Sequence, residues 1–331
     1  KEYEGYVYIR WEEAAEVYVV LEGADGSMQY GEAKLDVAAG NQWAKYSFTI
    51  TPDAKDAAGR MSIELRQPGS VDLAYAFLQP GEWGRYKGLQ VRKDVAEKLE
   101  EQNVSILRFG GCMANAGDYK WKNMLGAPED RPTYTGWWYG YSSFGFGIIE
   151  FLDLCEALGV IGVPDFNSYE TAEDMADFID FATGTDENNE WVQLRIEMGH
   201  PEPYNLPYLE FGNEEKVDES YAARFNAVAP SIWEKNEDVI LIVGDFGYGD
   251  VITDPNNITN TASGITNLNA HKSMLELAKE YNRTVYFDVH IWTDTPHSTP
   301  DFVEVLGSLY DALHQVCPGT DAKLVIFEYN A

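Results

Sequence analysis

The sequence predicts an α/β protein, a (β/α)8 or TIM barrel preceded by an N-terminal β-sandwich or jelly-roll domain, and three observations predict it. The first 84 residues are short runs that alternate apolar and polar at period two, broken by Asp-Gly and Pro-Gly turn signals. From Gly88 onward, helical stretches alternate with short apolar strands, the grammar of a parallel sheet. Polar residues also stand at the C-terminal tip of strand after strand: Arg108, Asn167, Asn213 with Glu214, Asp245, His290 and Glu328. In a barrel all of these tips converge on one mouth, which favours it over a doubly wound sheet.

The expected division is 1–84 as a carbohydrate-binding-like β domain and 85–331 as the barrel. Strands are expected in the first part at Gly5 to Arg10, Glu16 to Leu21, Tyr46 to Ile50, Met61 to Leu65 and Val71 to Tyr75. Domains of this kind bind sugar or serve as supports, and the pattern does not choose between the two. In the second part the 3.6-residue period places helices at Val91 to Gln102, Ile148 to Leu158, Ala172 to Ala182, Glu219 to Lys235, Leu268 to Tyr281 and Asp301 to Val316. Thr171 followed three residues later by Asp174 reads as the cap opening one of them. Strands fall between, at Ile106 to Phe109, Val160 to Phe166, Tyr208 to Phe211, Val239 to Gly244, Val285 to His290 and Leu324 to Phe327.

Composition sets the class of partner. With 331 residues and 45% hydrophobic content the chain can bury a full-sized core. A formal net charge of -31 repels a phosphate backbone, so nucleic acid is excluded, whereas a neutral carbohydrate meets no such barrier. Nine Trp and 21 Tyr would suit stacking against sugar rings, although most aromatics fill core. Cys112, Cys155 and Cys317 are far apart and show no metal or redox spacing. No apolar run is long enough for a membrane helix, so no membrane partner is expected, and a pI near 4.3 fits secretion or cytoplasmic processing of imported oligosaccharides, with secretion taken first.

Chemistry is sought where carboxylates end strands. Tyr208 to Phe211 runs straight into Gly212-Asn213-Glu214, and Leu324 to Phe327 runs into Glu328. Two glutamates held at the ends of two strands are what retaining glycoside hydrolysis requires, one as acid/base and one as nucleophile, with their carboxyl groups about 5–5.5 Å apart. The plain alternative is that each glutamate salt-bridges an arginine or caps a helix. Glu210 and Glu215 compete within the same stretch.

Taken in order, Arg108 to Cys112, Tyr119 to Lys122, Gly126 to Pro132, Gly212 to Glu214 and Phe327 to Asn330 resemble glycoside hydrolase family 51, whose best-known members are α-L-arabinofuranosidases. The resemblance spans roughly residues 85 to 331. It implies that Glu214 is the acid/base and Glu328 the nucleophile, that Asn213 bonds the hydroxyl beside the anomeric carbon, and that Arg108 keeps the nucleophile ionised. It places His290 and Trp292 in the mouth and Cys112 on a loop lining the sugar site. Asn115 and Arg131 are expected to reach the mouth on their loops, and Trp138, with Trp137, to form a sugar platform or to pack a loop. The six strands would be barrel strands two to seven, the first and last supplied by a segment of the polypeptide outside this sequence. One departure is visible: the family usually has Pro-Gly-Gly after the strand-two arginine and its aromatic neighbour, and here Phe109 is followed directly by Gly110-Gly111-Cys112. That weakens the case for arabinofuranose more than the case for retention.

The expected function is therefore a retaining glycoside hydrolase on plant cell-wall glycans, an α-L-arabinofuranosidase first. The alternatives are an endo-β-glucanase or xylanase using the same carboxylates, and a non-catalytic carbohydrate-binding protein. The chemistry calls for no cofactor and no metal, and the composition leaves a homo-oligomer open.

Overall fold

The computed structural model describes residues 1–12, 15–292 and 298–330, apart from the side chains at 15, 292, 298–301 and 330. The chain divides into two compact units, Lys1–Asn103 and Val104–Ala331.

The first unit is built from β1 (Tyr3–Trp11), β2 (Ala15–Glu22), β3 (Gln29–Val37), β4 (Gly40–Ile50), β5 (Arg60–Leu65) and β6 (Asp72–Pro80). They form two antiparallel three-stranded sheets, in the orders β4-β1-β6 and β3-β2-β5. Alternation does the work: Val7, Ile9 and Trp11 from the first sheet meet Val17, Val19 and Leu21 from the second in one buried cluster. Strand β3 escapes sequence reading because only Leu35 and Val37 among its residues are buried, and its polar positions leave the apolar period too short to register. A short hairpin, β7 (Arg85–Tyr86) and β8 (Leu89–Arg92), and helix α1 (Lys93–Glu101) complete this unit.

The second unit is a partial TIM barrel. It carries six parallel strands: β9 (Ile106–Phe109), then, after the small loop hairpin β10 (Thr133–Tyr134) and β11 (Ser142–Ser143), β12 (Ile161–Phe166), β13 (Tyr208–Phe211), β14 (Ile240–Gly244) and β15 (Val285–Asp288), and, after the two-residue strand β16 (Ile291–Trp292), β17 (Ala322–Val325). Their order in the sheet is β17-β15-β14-β13-β12-β9, so each strand lies beside the one before it in the chain, the winding of a barrel. Between them run α2 (Ile148–Leu158), α3 (Ala172–Thr183), α4 (Glu190–Glu197), α5 (Glu219–Lys235), α6 (Asn269–Glu280) and α7 (Ser298–Val316). The Thr171 hydroxyl accepts from the Asp174 amide at 3.0 Å, as the capping pattern predicts. Among the described residues no helix is long and apolar enough to cross a membrane.

Two differences from the sequence reading have physical causes. Helix α4 buries only Val192 and Arg195, so it has almost no apolar stripe, and its one legible mark is Asn189, which caps the Trp191 amide at 2.9 Å. The last long strand stops at Val325, not Phe327. It is an end strand of the sheet, and past that point the Phe327 amide turns aside to the Asp288 carboxylate at 2.9 Å. The chain then pairs again, parallel, as β18 (Tyr329–Asn330) against β16.

The core is aromatic. Phe178 of α3 is fully buried, with its ring centre 4.6 Å from that of Phe166 at the end of β12 and 5.4 Å from that of Trp121. Replacing Phe178 by Ala should cost about 3–5 kcal/mol, lost transfer energy plus an unfilled cavity. Denaturant unfolding of the two proteins checks this, and a loss below about 1 kcal/mol would mean that α3 is not seated on the sheet as described.

Candidate active site

The site grows from one buried cation. Arg108 lies on β9, with Asp165 of β12 and Glu210 of β13 aligned beside each other in register on the neighbouring strands. Its guanidinium bonds Glu210 through Nε and, at 3.1 Å, through Nη2. Nη2 also donates to the Asn213 side-chain oxygen at 2.6 Å, and Nη1 to Glu328 Oε1 at 2.8 Å. Asp165 and Asp288 stand at 3.5 and 3.9 Å. Burial works against the charge on Arg108, but Glu210 and Asp165 outweigh it and hold the guanidinium above its usual range. Burial pushes both Asp165 and Glu210 well above ordinary carboxylates, with the charge of Asp288 adding to the rise in each and the Arg108 guanidinium opposing it.

Strand β13 ends in a turn that only glycine permits. Gly212 has φ +81°, and a Cβ on Gly244 would lie 1.6 Å from the Gly212 carbonyl oxygen, so β13 and β14 touch backbone to backbone. The Glu215 amide donates to the Gly244 carbonyl at 2.8 Å and fixes the turn. Glu214, at its apex, has φ +50°, a conformation that is strained for a side chain of this kind. The strain turns Glu214 into the site while Asn213 stays fully buried.

His290 joins the two glutamates. Its Nδ1 lies 2.9 Å from Glu214 Oε1 and 3.8 Å from Glu328 Oε2, and its Nε2 lies 3.0 Å from Asp288 Oδ2. Burial opposes protonation of this ring, but hydrogen bonds to Asp288 and Glu214 overcome it and raise the pKa to about 9. Asp288 reaches Glu328 by a second route, because its other oxygen takes the Phe327 amide. Ligand atoms of Glu214, His290 and Glu328 all lie within 4.8 Å of one another. The same three groups are close enough to share a cation.

The other predicted residues divide into those the fold gathers here and those it does not. The Asn213 amide is spent inside the protein, on Arg108 and, through Nδ2, on Cys112 Sγ at 3.7 Å. The Cys112 thiol stands 3.9 Å from Glu214 Oε2, and burial, then the charges of Glu214 and Glu328, push its pKa up. Trp138 is exposed, and its side chain offsets part of that rise. Asn115 is exposed on the next turn, tied to Cys112 only through its backbone amide. Trp292 is in β16, and its side chain lies outside the described residues.

Three expectations about the mouth are corrected. Arg131 is buried away from it, donating to the carbonyls of Gly126 and Phe144 and pairing with Glu150, and so pins its own loop. Asn167 likewise holds a loop, donating to the carbonyls of Ala114 and Ala116. Asp245 turns to helix α6, at 2.8 Å from both the Tyr248 hydroxyl and His271 Nε2. Sequence reasoning passed over Asp165 and Asp288, whose signal was an acid inside an apolar strand run, and Phe246, whose ring meets that of His290 edge-on at 6.4 Å.

Comparison with known proteins points to one family. The model of the α-L-arabinofuranosidase 1 domain matches residues 98–302, well over half of the chain. An extracellular exo-α-L-arabinofuranosidase of Streptomyces chartreusis is 29% identical over an alignment of 286 residues that covers 76% of this chain and 34% of that protein. α-L-Arabinofuranosidase 2 of Arabidopsis thaliana is 27% identical over an alignment of 264 residues that covers 73% of this chain and 39% of its own length. This chain thus spans about a third to two-fifths of these curated relatives. Among solved structures, an arabinose-bound family 51 α-L-arabinofuranosidase superposes with a TM-score of 0.73 at 19% identity, over 99% of this chain and 51% of that one. A family 51 enzyme from Bifidobacterium longum gives 0.58 at 20% identity, over 72% and 50%.

The His290 pKa makes a prediction about stability. Because the folded value, about 9, lies above the ordinary 6.5, its contribution is complete below about pH 6.5 and disappears as pH rises through 9. Melting temperatures of the wild type and His290→Gln should therefore differ most below pH 6.5 and converge towards pH 9. A gap that stays constant over this range would show that His290 is not charged in the fold.

Proposed function

The chain belongs to the α-L-arabinofuranosidase family of glycoside hydrolase family 51, and from that membership we propose that its parent protein is a retaining α-L-arabinofuranosidase in which Glu328 is the nucleophile and Glu214 the acid/base. The observation that carries the reading is the close pair of glutamates, with Arg108 bonded to one and His290 bonded to the other. Arg108 binds Glu328 Oε1, which leaves Oε2 to attack the anomeric carbon. His290 occupies Glu214 Oε1, so Oε2 carries the proton given to the leaving oxygen. The C–O bond to the leaving group breaks as the Glu328 ester forms. Glu214, now a carboxylate, takes a proton from water, whose oxygen displaces Glu328 and returns the sugar with its configuration retained.

The finer architecture belongs to the same reading. The six strands stand as strands two to seven of a closed eight-stranded barrel, and the first unit as a jelly roll, in keeping with a solved family member that this chain covers by half. Plant cell-wall arabinans and arabinoxylans are the substrates this family suggests. The exposed Trp137 and Trp138 stand ready to meet the rest of such a chain.

The test is hydrolysis of an aryl α-L-arabinofuranoside by the full-length parent, with the first-formed sugar anomer read by NMR, beside an aryl β-cellobioside. Arabinoside turnover with retention is expected. Glu328→Ala should abolish it, and Glu214→Ala should lower it by about 10²–10⁴ on a substrate with a poor leaving group. Inversion, or turnover that survives Glu328→Ala, would overturn the assignment, and cleavage of the cellobioside alone would move the activity to β-glycans.

A further inference from the structure

A cleft of about 600 Å³ opens in the first unit, at one end of its two sheets. Its size falls within the range of small-molecule sites, about 300–1,000 Å³. Tyr3 and Leu78 line it from the first sheet, Leu21 and Met61 from the second, and Trp83 stands across it. The Trp83 ring is 38% exposed and is held edge-on to Tyr3 at 5.5 Å, while its indole N–H donates to the Glu2 carbonyl. The ring is thus fixed in place, with the Lys1 ammonium over it at 4.4 Å from its centre and part of its surface still open.

The opposite wall is polar and ordered. The Tyr30 hydroxyl donates to Asp56 Oδ2 at 2.7 Å, and the other oxygen of Asp56 takes the Ala58 amide at 2.8 Å. Glu22, only 7% exposed, accepts from Arg60 Nε at 2.9 Å and from Ser62. The wall therefore presents hydrogen-bond donors and acceptors side by side on groups that are already oriented. Its charges nearly cancel, with Lys1, Lys55 and Arg60 set against Glu22 and Asp56, although the chain as a whole is at -31. Neither a polyanion nor a polycation is selected by such a lining. The ligand that fits is neutral, has an apolar face, and carries hydroxyls that both give and accept hydrogen bonds.

We infer that this cleft is a saccharide-binding site, separate from the carboxylate pair, in which a sugar ring packs on Trp83 and its hydroxyls are read by Asp56 and Arg60. The chemistry of the cleft defines the ligand class. The choice of arabinan-type glycans as the source rests on the proposed function.

Binding is measured by affinity electrophoresis of the full-length protein in gels holding debranched arabinan or arabinoxylan, in a Glu328→Ala background so that the glycan is not cut. Trp83→Ala and Asp56→Ala, added singly, should each weaken retardation by about tenfold, the scale of one aromatic contact or one oriented hydrogen bond. In the otherwise wild-type enzyme the same two substitutions should leave kcat/KM on an aryl arabinofuranoside within about twofold, which also shows that they fold. Unchanged retardation, absence of retardation in the parent, or parallel loss of binding and turnover in both variants would overturn the inference. The two readings fail separately: a parent that is inactive on the aryl substrate but retarded, and released by Trp83→Ala, keeps the cleft and loses the glycosidase.

Discussion

The contact on which this site depends is the buried ion cluster around Arg108. One guanidinium on β9 bonds acids or amides from β13, from the turn that follows it and from the segment after β17, and it stands close to acids on β12 and β15. Taking a cation out of water is expensive, and the cost is met only while its partners remain in place. Those partners come from β12, β13 with its turn, β15 and the segment after β17, so the charge network and the strand order need each other. Removing one buried partner of such a pair typically costs about 3–5 kcal/mol, because the remaining charge is stranded. Glu210 is best understood in these terms, as a counterion that orients Arg108 and not as a competitor for the chemistry.

His290 extends the same logic outward. It is a cation placed between carboxylates that differ in exposure: Asp288 is fully buried, while Glu214 and Glu328 open towards solvent. Asp288 fixes the ring from behind and also ties the backbone leading to Glu328. The strained Glu214 backbone is supported by the close approach of Gly212 and Gly244, where no other residue leaves room. Strain, buried charge and backbone contact are therefore concentrated within a few residues of the two glutamates, the usual position for features that stability alone would not select.

Much of this was legible along the chain. The apolar runs ending in Glu214 and Glu328, the alternation of helix and strand, and the cap at Thr171 are local patterns, and local patterns survive in one dimension. Strand β3 and helix α4 were not legible, because each buries too few apolar residues to leave a period. Asp165 and Asp288 looked like interruptions of apolar strands and proved to be partners of Arg108 and His290. Arg131 and Asn167 looked like mouth residues because of where they stand in the chain, yet their side chains turn to backbone carbonyls and hold loops.

By itself the sequence determined which segments become strands and helices and which two glutamates end strands, since side-chain periodicity and backbone preference act over a few residues at a time. Only the tertiary structure decided which acids share the cation and which polar groups face the site. Glu210 and Glu328 are 118 positions apart in the chain and bond the same guanidinium, and no local rule encodes that meeting. It follows from the order of strands in the sheet and from the desolvation of Arg108, whose buried charge is met by Asp165, Glu210, Asp288 and Glu328.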